Sequence, residues 1–171
     1  MQAWLGARGA ALAFLLLAVA GNSAAAAAPL TDYESILFPG SLETHPWDIN
    51  SAGVVAGAYR MPDGGGFHGF IYSAGVFTTI DAPGADSTVI YGINDSGEAV
   101  GAAGGGAITS AFKYYGGAFQ EITIPGATGV VATEINNSGQ VVGNYSTGSL
   151  DSGLVNHMFL LTGATITTLA Y

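Results

Sequence analysis

A nine-residue pattern occurs three times without a gap in this chain. Residues 49–57 read INSAGVVAG, 93–101 read INDSGEAVG and 135–143 read INNSGQVVG, at offsets of 44 and 42 residues. Two further anchors keep the same phase. Pro39-Gly40, Pro83-Gly84 and Pro125-Gly126 each set their proline ten residues before the Ile of the next Ile-Asn pair. His68-Gly69-Phe70, Ser110-Ala111-Phe112 and His157-Met158-Phe159 follow the three copies in turn. Self-similarity at this period restricts the chain to a repeat architecture, in which each copy is one supersecondary unit that buries its apolar face on a neighbour.

The middle copy shows what the unit is. Runs of β-forming residues at 88–93, 98–102, 111–115 and 119–124 are separated by Asn94-Asp95-Ser96-Gly97, a glycine-bearing loop at 104–109, and Gly116-Gly117. Asn and Asp bond their own backbone in tight turns and Gly accepts positive φ, so each break predicts a chain reversal. Pro125 closes the unit, because proline cannot donate to a ladder. No capped helical period follows the first 28 residues. The expectation is an all-β fold of four-stranded antiparallel units, over about 44–81, 87–124 and 130–169, arranged like β-propeller blades, with a stacked solenoid as the alternative. Residues 33–37 align with 77–81 and predict an extra outer strand ahead of the first unit. Three units are fewer than the about four to eight blades usual for a propeller. That predicts an open or incomplete ring, either a piece of a longer array or a subunit that associates through its exposed ends.

Residues 1–28 read differently from the rest. Arg8 supplies a positive start, residues 10–20 are an unbroken apolar run, and alanines at 24–28 offer small residues at signal-peptidase spacing. A secretory signal peptide over 1–28 is expected, with the repeat domain over 29–171 and a mature N-terminus within 24–30. The apolar run falls short of the ~20 residues that span a bilayer, so no membrane span is expected after cleavage. The corresponding location is secreted and extracellular, with the periplasm as the alternative. Beyond the leader only Arg60 and Lys113 stand against all twelve Asp and Glu residues. Such a surface repels phosphate backbones and has no cationic cluster to release counterions, which excludes nucleic acid as the expected partner. With no cysteine in the chain, disulfide staples and thiolate metal sites are excluded as well.

The anchors Ile-Asn-x-Ser-Gly with Val-Val-Gly, then His-x-Phe, then Pro-Gly, resemble the HAF repeat family of bacterial extracellular proteins, named for a His-Ala-Phe motif. The resemblance covers residues 36–169. The motif stands here as His68-Gly69-Phe70 and His157-Met158-Phe159, and the middle copy departs from it with Ser110 in place of His. The resemblance implies export and a repeat β architecture; it brings no catalytic residues.

Candidate sites are few. His68 and His157 begin equivalent strands and invite a paired-ligand reading, although a histidine at a strand start more often bonds a nearby backbone carbonyl. The aligned second turn positions are Ser51, Asp95 and Asn137, too few carboxylates for calcium, which takes six to eight oxygens. No metal or cofactor site is expected. The acids do not recur in phase and no Gly-x-Ser-x-Gly elbow occurs, so no catalytic residue can be assigned. Phe70, Tyr72, Phe112 and Phe159 read as packing between units. Trp47 and Tyr91 align on the first strand and would lie near a propeller axis, where they could line a sugar site. Arg60 opens the first of three variable loops, at 60–67, 103–109 and 146–156, which fall at the same end as the Pro-Gly links. Recognition usually rides on such loops. The leading reading is a secreted, non-catalytic binding or surface-interaction module for a carbohydrate or a cell-surface component. An exported polysaccharide hydrolase and a self-associating structural array are the alternatives.

Overall fold

The computed structural model describes residues 35–105, 108–149 and 153–169. Among these there is no helix, and none therefore that is long and apolar enough to cross a membrane. Three antiparallel meanders of four strands follow one another. Unit 1 holds β1 (Glu43–Ile49), β2 (Val55–Arg60), β3 (Phe67–Ser73) and β4 (Val76–Ile80). Unit 2 holds β5 (Ser87–Ile93), β6 (Ala99–Gly105), β7 (Ile108–Tyr115) and β8 (Ala118–Ile122). Unit 3 holds β9 (Gly129–Ile135), β10 (Val141–Ser149), β11 (Gly153–Thr162) and β12 (Thr165–Leu169). Each sheet keeps its strands in sequence order, the four-stranded antiparallel unit the period predicts.

Two expectations need correction. The second and third variable loops are largely strand: β6 pairs with β7 out to Gly105 opposite Ile108, and β10 with β11 out to Ser149 opposite Gly153. Small and hydroxylated side chains do not oppose a ladder, so pairing continues toward the reversal. The extra strand is not formed by the described part of its span. Residues 35–37 are irregular, and Tyr33 and Glu34 lie outside the described residues. A fourth strand needs a third to pair with, and none precedes it among the described residues. Ile36 instead docks by side chain, packing with Phe38 against Val55, Tyr59 and Phe70.

The Asn of each Ile-Asn pair clamps its turn and then reaches out of it. Asn94 Oδ1 accepts the backbone N–H groups of Ser96 and Glu98, each at 3.0 Å. Asn50 and Asn136 do the same for residues two and four further on. The closing glycines Gly53, Gly97 and Gly139 take φ of 76°, 79° and 73°, the left-handed conformation expected of them. With its Oδ1 used inside the turn, each amide has Nδ2 left over. Asn50 Nδ2 donates to the Asn94 carbonyl at 3.1 Å, and Asn94 Nδ2 to the Asn136 carbonyl at 3.2 Å. Alongside runs a second line, in which Ser51 N–H donates to Asp95 Oδ1 at 2.8 Å and Asp95 N–H to Asn137 Oδ1 at 2.9 Å.

Behind this ladder each unit buries one ring on one glycine. Phe70, Phe112 and Phe159 lie opposite Gly57, Gly101 and Gly143, and a Cβ at any of these glycines would overlap both the ring and a carbonyl oxygen of the unit's first strand. The first strand of each following unit then covers the other side. β5 packs on β1, β2 and β3, and β9 on β5, β6 and β7. Ile90 and Ile93 of β5 join Ala56 and Ile80 in one core, and Ala132 and Ile135 of β9 join Val100 and Ile122 in another.

The outermost faces lack this cover. Ile49 is 63% exposed, whereas its equivalents Ile93 and Ile135 are 4% exposed. On unit 3, Val142 and Met158 are 38% and 43% exposed, against 0% for their unit 2 equivalents Val100 and Ala111.

Asn94→Ala should lower the unfolding free energy by about 2 kcal/mol, since it strands two part-buried turn N–H groups and cuts the link to unit 3. Asn136→Ala should cost less, because that amide is exposed and its Nδ2 reaches only Gln140 of its own turn. Urea titrations at unchanged m-value would show this order, and equal midpoints for the two variants would contradict it.

Candidate functional site

The first strand of each unit carries one residue out of register. Trp47 in β1, Tyr91 in β5 and Thr133 in β9 are skipped by the pairing with the second strand. A bulge of this kind bends the strand and re-aims a side chain. Trp47 and Tyr91 turn toward each other, with ring centroids 5.4 Å apart and planes at 64°. Tyr91 is partly desolvated there, and burial pushes its hydroxyl above the usual tyrosine range.

From Trp47 a continuous row of rings runs along the same face toward the first variable loop. His45 lies 6.2 Å from Trp47 and 5.8 Å from Phe67, and the Arg60 guanidinium sits 5.6 Å from the Phe67 centroid. The register explains the grouping, because Glu43 pairs with Arg60 across β1–β2 and Arg60 with Phe67 across β2–β3, and cross-strand partners share a face. Glu43 holds the row together. Its carboxylate takes Arg60 at 2.6 Å and His45 Nε2 at 3.0 Å. The bond to His45 and the Arg60 cation hold it below the ordinary carboxylate range.

Of the residues singled out from sequence, Trp47, Tyr91 and Arg60 therefore meet in one strip. His68 and His157 stay apart from it and from each other. His68 stacks on Tyr59 at 5.1 Å and bonds Asp81 at 2.9 Å, while His157 stacks on Tyr145 at 4.8 Å and bonds Thr147 at 3.0 Å. Their hydrogen bonds go to side chains, not to the backbone carbonyls expected of histidines at strand starts. The stacking follows from register, since Tyr59 lies directly opposite His68 and Tyr145 opposite His157. Glu43, His45 and Phe67 complete the strip without having been flagged by sequence. Only Phe67 borders the one variable loop that stays a loop; Glu43 and His45 reach it through the register of β1 on β2.

In units 2 and 3 the positions equivalent to His45 and Phe67 hold no rings, and of the strip's aromatic positions only Tyr91, at the groove's end, keeps one in unit 2. Ser87, Val89, Ala102 and Gly104 line a groove of about 220 Å³ in unit 2. Gly129, Val131, Asn144 and Ser146 line a cleft of about 650 Å³ in unit 3, whose far wall is Leu154 and Asn156 of the lengthened β10–β11 hairpin. Asn, Ser and Thr side chains line it beside Val131 and Leu154, its surface is more apolar than polar, and among the described residues no charged group lines it.

One pair of carboxyls interacts across units. Partial desolvation, then the charge of Asp48, raises Glu134 above the ordinary carboxylate range. Asp48 has its own oxygens on backbone N–H groups, Ile49 at 2.7 Å and Ile93 at 2.8 Å, and so ties β1 to β5. Such a carboxylate is spent on register, which does not suit a nucleophile or base. Among the described residues no group of three or more His, Asp or Glu side chains is placed to hold a metal ion. A comparison with protein-family models finds no match to this chain, and a comparison with curated proteins finds none either.

Glu134 and Glu98 should respond to pH with opposite signs. A carboxyl whose folded pKa is raised disfavours the fold once ionised, so Glu134→Gln should raise the thermal midpoint at pH 7, with a gain that disappears as pH falls through the carboxylate range. Glu98 is lowered by Lys113 and Asn94. Glu98→Gln should therefore lower the midpoint at pH 7, with a loss that shrinks toward acid. Thermal melts from pH 3 to 8 would check both, and a neutral-pH destabilisation by Glu134→Gln would contradict the assignment.

Proposed function

We propose that this chain is a secreted, non-catalytic binding module of the HAF repeat type, and that its ligand is a neutral or weakly basic glycan carried on a cell surface. The observation behind this reading is the strip from Arg60 through Phe67, His45 and Trp47 to Tyr91. Trp47 is 54% exposed, which is expensive for an indole that contributes nothing else to the core. An open aromatic face beside a carboxylate and a guanidinium suits a ring with one apolar side and hydroxyls around its edge. The acidic surface argues in the same direction, since it repels anionic polymers and leaves neutral sugars unaffected. The leader-like sequence at 1–28 supports export.

The test uses the tryptophan itself. The only other tryptophan is Trp4, inside the expected leader, so the processed protein has Trp47 as its sole indole fluorophore. A glycan array should return hits whose titration shifts the tryptophan emission, and Trp47→Ala should weaken retention at least about tenfold. Hits that bind Trp47→Ala and Arg60→Ala as well as the parent would sink the strip as the site.

A second reading, self-association, is supported by the uncovered faces of units 1 and 3. Ile49 occupies the position from which Ile93 and Ile135 reach into the preceding unit, and Val142 and Met158 occupy positions that a following first strand covers elsewhere. A second copy packed head to tail would bring β1 onto the β10–β11 face, giving six units in a closed pair. Light scattering on the purified protein should then return twice the chain mass. Ile49→Lys and Met158→Lys should each lower it to one chain; a monomeric parent, or a dimer indifferent to Ile49→Lys, would refute head-to-tail packing.

A further inference from the structure

Four positions that touch one another change together from unit to unit. In unit 1 Phe38 lies flat on Tyr59, with centroids 3.6 Å apart and planes 5° apart. Tyr59 stacks on its other side against His68, and its hydroxyl is 3.0 Å from Thr79 Oγ1. Unit 3 keeps this arrangement with Tyr145, His157 and Thr168, the two hydroxyls standing 3.2 Å apart, and Ile124 packed where Phe38 packs in unit 1. The corresponding residues of unit 2 are Ala82, Ala103, Ser110 and Glu121. Both rings and the link side chain have become small together, and the hydroxyl that met the tyrosine tip has become a carboxylate.

Their removal leaves an open cavity of about 350 Å³ between the Pro83-Gly84 link and the face of unit 2, with Phe112, Phe119 and Asp86 as its remaining walls. An unfilled space normally costs stability or collapses. Here the walls hold their positions: Phe112 and Phe119 cross at 5.1 Å and 68°, the geometry of Phe70 and Phe77 in the filled unit at 5.2 Å and 70°. The carboxylates of Glu121 and Asp86 have no side-chain hydrogen bond or ion pair among the described residues. No Lys, Arg or His lines the cavity.

We propose that this cavity is a binding site for a small planar aromatic cation, a flat ring that carries a protonated amine. The ring takes the place that the Tyr59 ring fills in unit 1, and the amine donates to the Glu121 carboxylate where the Tyr59 and Thr79 hydroxyls meet in unit 1. A ring is required because what is missing is a ring stack: at Ala103 its middle layer is absent, and Ala82 and Ser110, where Phe38 and His68 stack in unit 1, leave room on the two faces of a flat guest. A cation is required because two carboxylates without partners among the described residues line the cavity of an already acidic protein, which attracts cations and excludes anions. The site is separate from the strip in unit 1 and stands or falls without it.

Benzylamine is the probe, with phenylacetate as the ring without the cation and n-butylamine as the cation without the ring. Followed by protein NMR, benzylamine should shift the resonances of Phe112 and Phe119, and neither control should do so at the same concentration. Glu121→Gln should weaken benzylamine binding by about tenfold or more. The double variant Ala103→Tyr with Ser110→His rebuilds the filling of units 1 and 3; it should raise the thermal midpoint and abolish binding. Absence of shifts with benzylamine, equal shifts with phenylacetate, or binding that survives in the double variant would each overturn the site. If the double variant does not fold, Glu121→Gln decides alone, and unchanged affinity there overturns it.

Discussion

Everything in this fold depends on how one asparagine side chain divides its two ends. Oδ1 is used inside the turn, where it takes the N–H groups two and four residues on, and in units 1 and 2 Nδ2 reaches out of it to the next unit's carbonyl, Asn94 also donating to Glu98 of its own turn. The first use fixes the turn and therefore the register of the hairpin. The second fixes how far apart consecutive sheets sit at that end. An aspartate could do only the first, and a serine could reach only one of the two turn donors. The buried state of Asn94 sets the stakes, since an amide shielded from water must have its partners or lose stability. With sheets held at this spacing, a ring opposite each glycine and an isoleucine from the next first strand fill what lies between.

That division of labour explains why the chain manages without disulfides or a compensating cation for each acid. Arg60 and Lys113 are each committed to an ion pair, with Glu43 and Glu98. The other acids among the described residues are used as acceptors or left in solvent. Asp95 is held below the ordinary range by the Ser51 hydroxyl and N–H and then the Asn137 amide, so it serves the ladder as an anion without needing a cation. Asp48 does the same between β1 and β5. The stability of the repeat thus rests on backbone donors, and charge is free to vary on the surface.

The sequence made the units, their boundaries to within a residue or two and the turn glycines readable, because each depends on local chemistry repeated three times. It did not reveal the extended β6–β7 and β10–β11 hairpins, since glycine, serine and threonine signal loops by composition while tolerating a ladder in fact. Nor could it place Ile36, whose alignment with Ile80 describes a shared packing position and not a shared hydrogen-bonding role. For the strip, Trp47, Tyr91 and Arg60 were visible as odd residues in a repeat. Their meeting through His45 and Phe67 depends on cross-strand register and on the bulges at Trp47 and Tyr91, which carry no one-dimensional mark. The histidines misled for the same reason: their stacking partners, Tyr59 and Tyr145, sit across the sheet and nine or twelve residues away in sequence.

A repeat protein offers a control that a single-copy fold lacks, because each position is seen in several backgrounds with nearly the same backbone. Positions identical in all units, such as the Asn of the turn and the Gly–Phe pair, are explained by the fold. Positions that differ singly need no explanation beyond tolerance. Positions in mutual contact that differ as a set are another matter, since each change alone would leave a hole or an orphaned group, and only the joint change gives a defined surface. Two such sets occur here. One puts His45 and Phe67 on the strip face of unit 1 where units 2 and 3 have no rings, and the other empties a ring stack in unit 2 that units 1 and 3 keep. Both lie toward the Pro-Gly links, away from the Asn ladder. The ladder cannot vary without loosening all three sheets, so any chemistry particular to one unit has to be written at the opposite end.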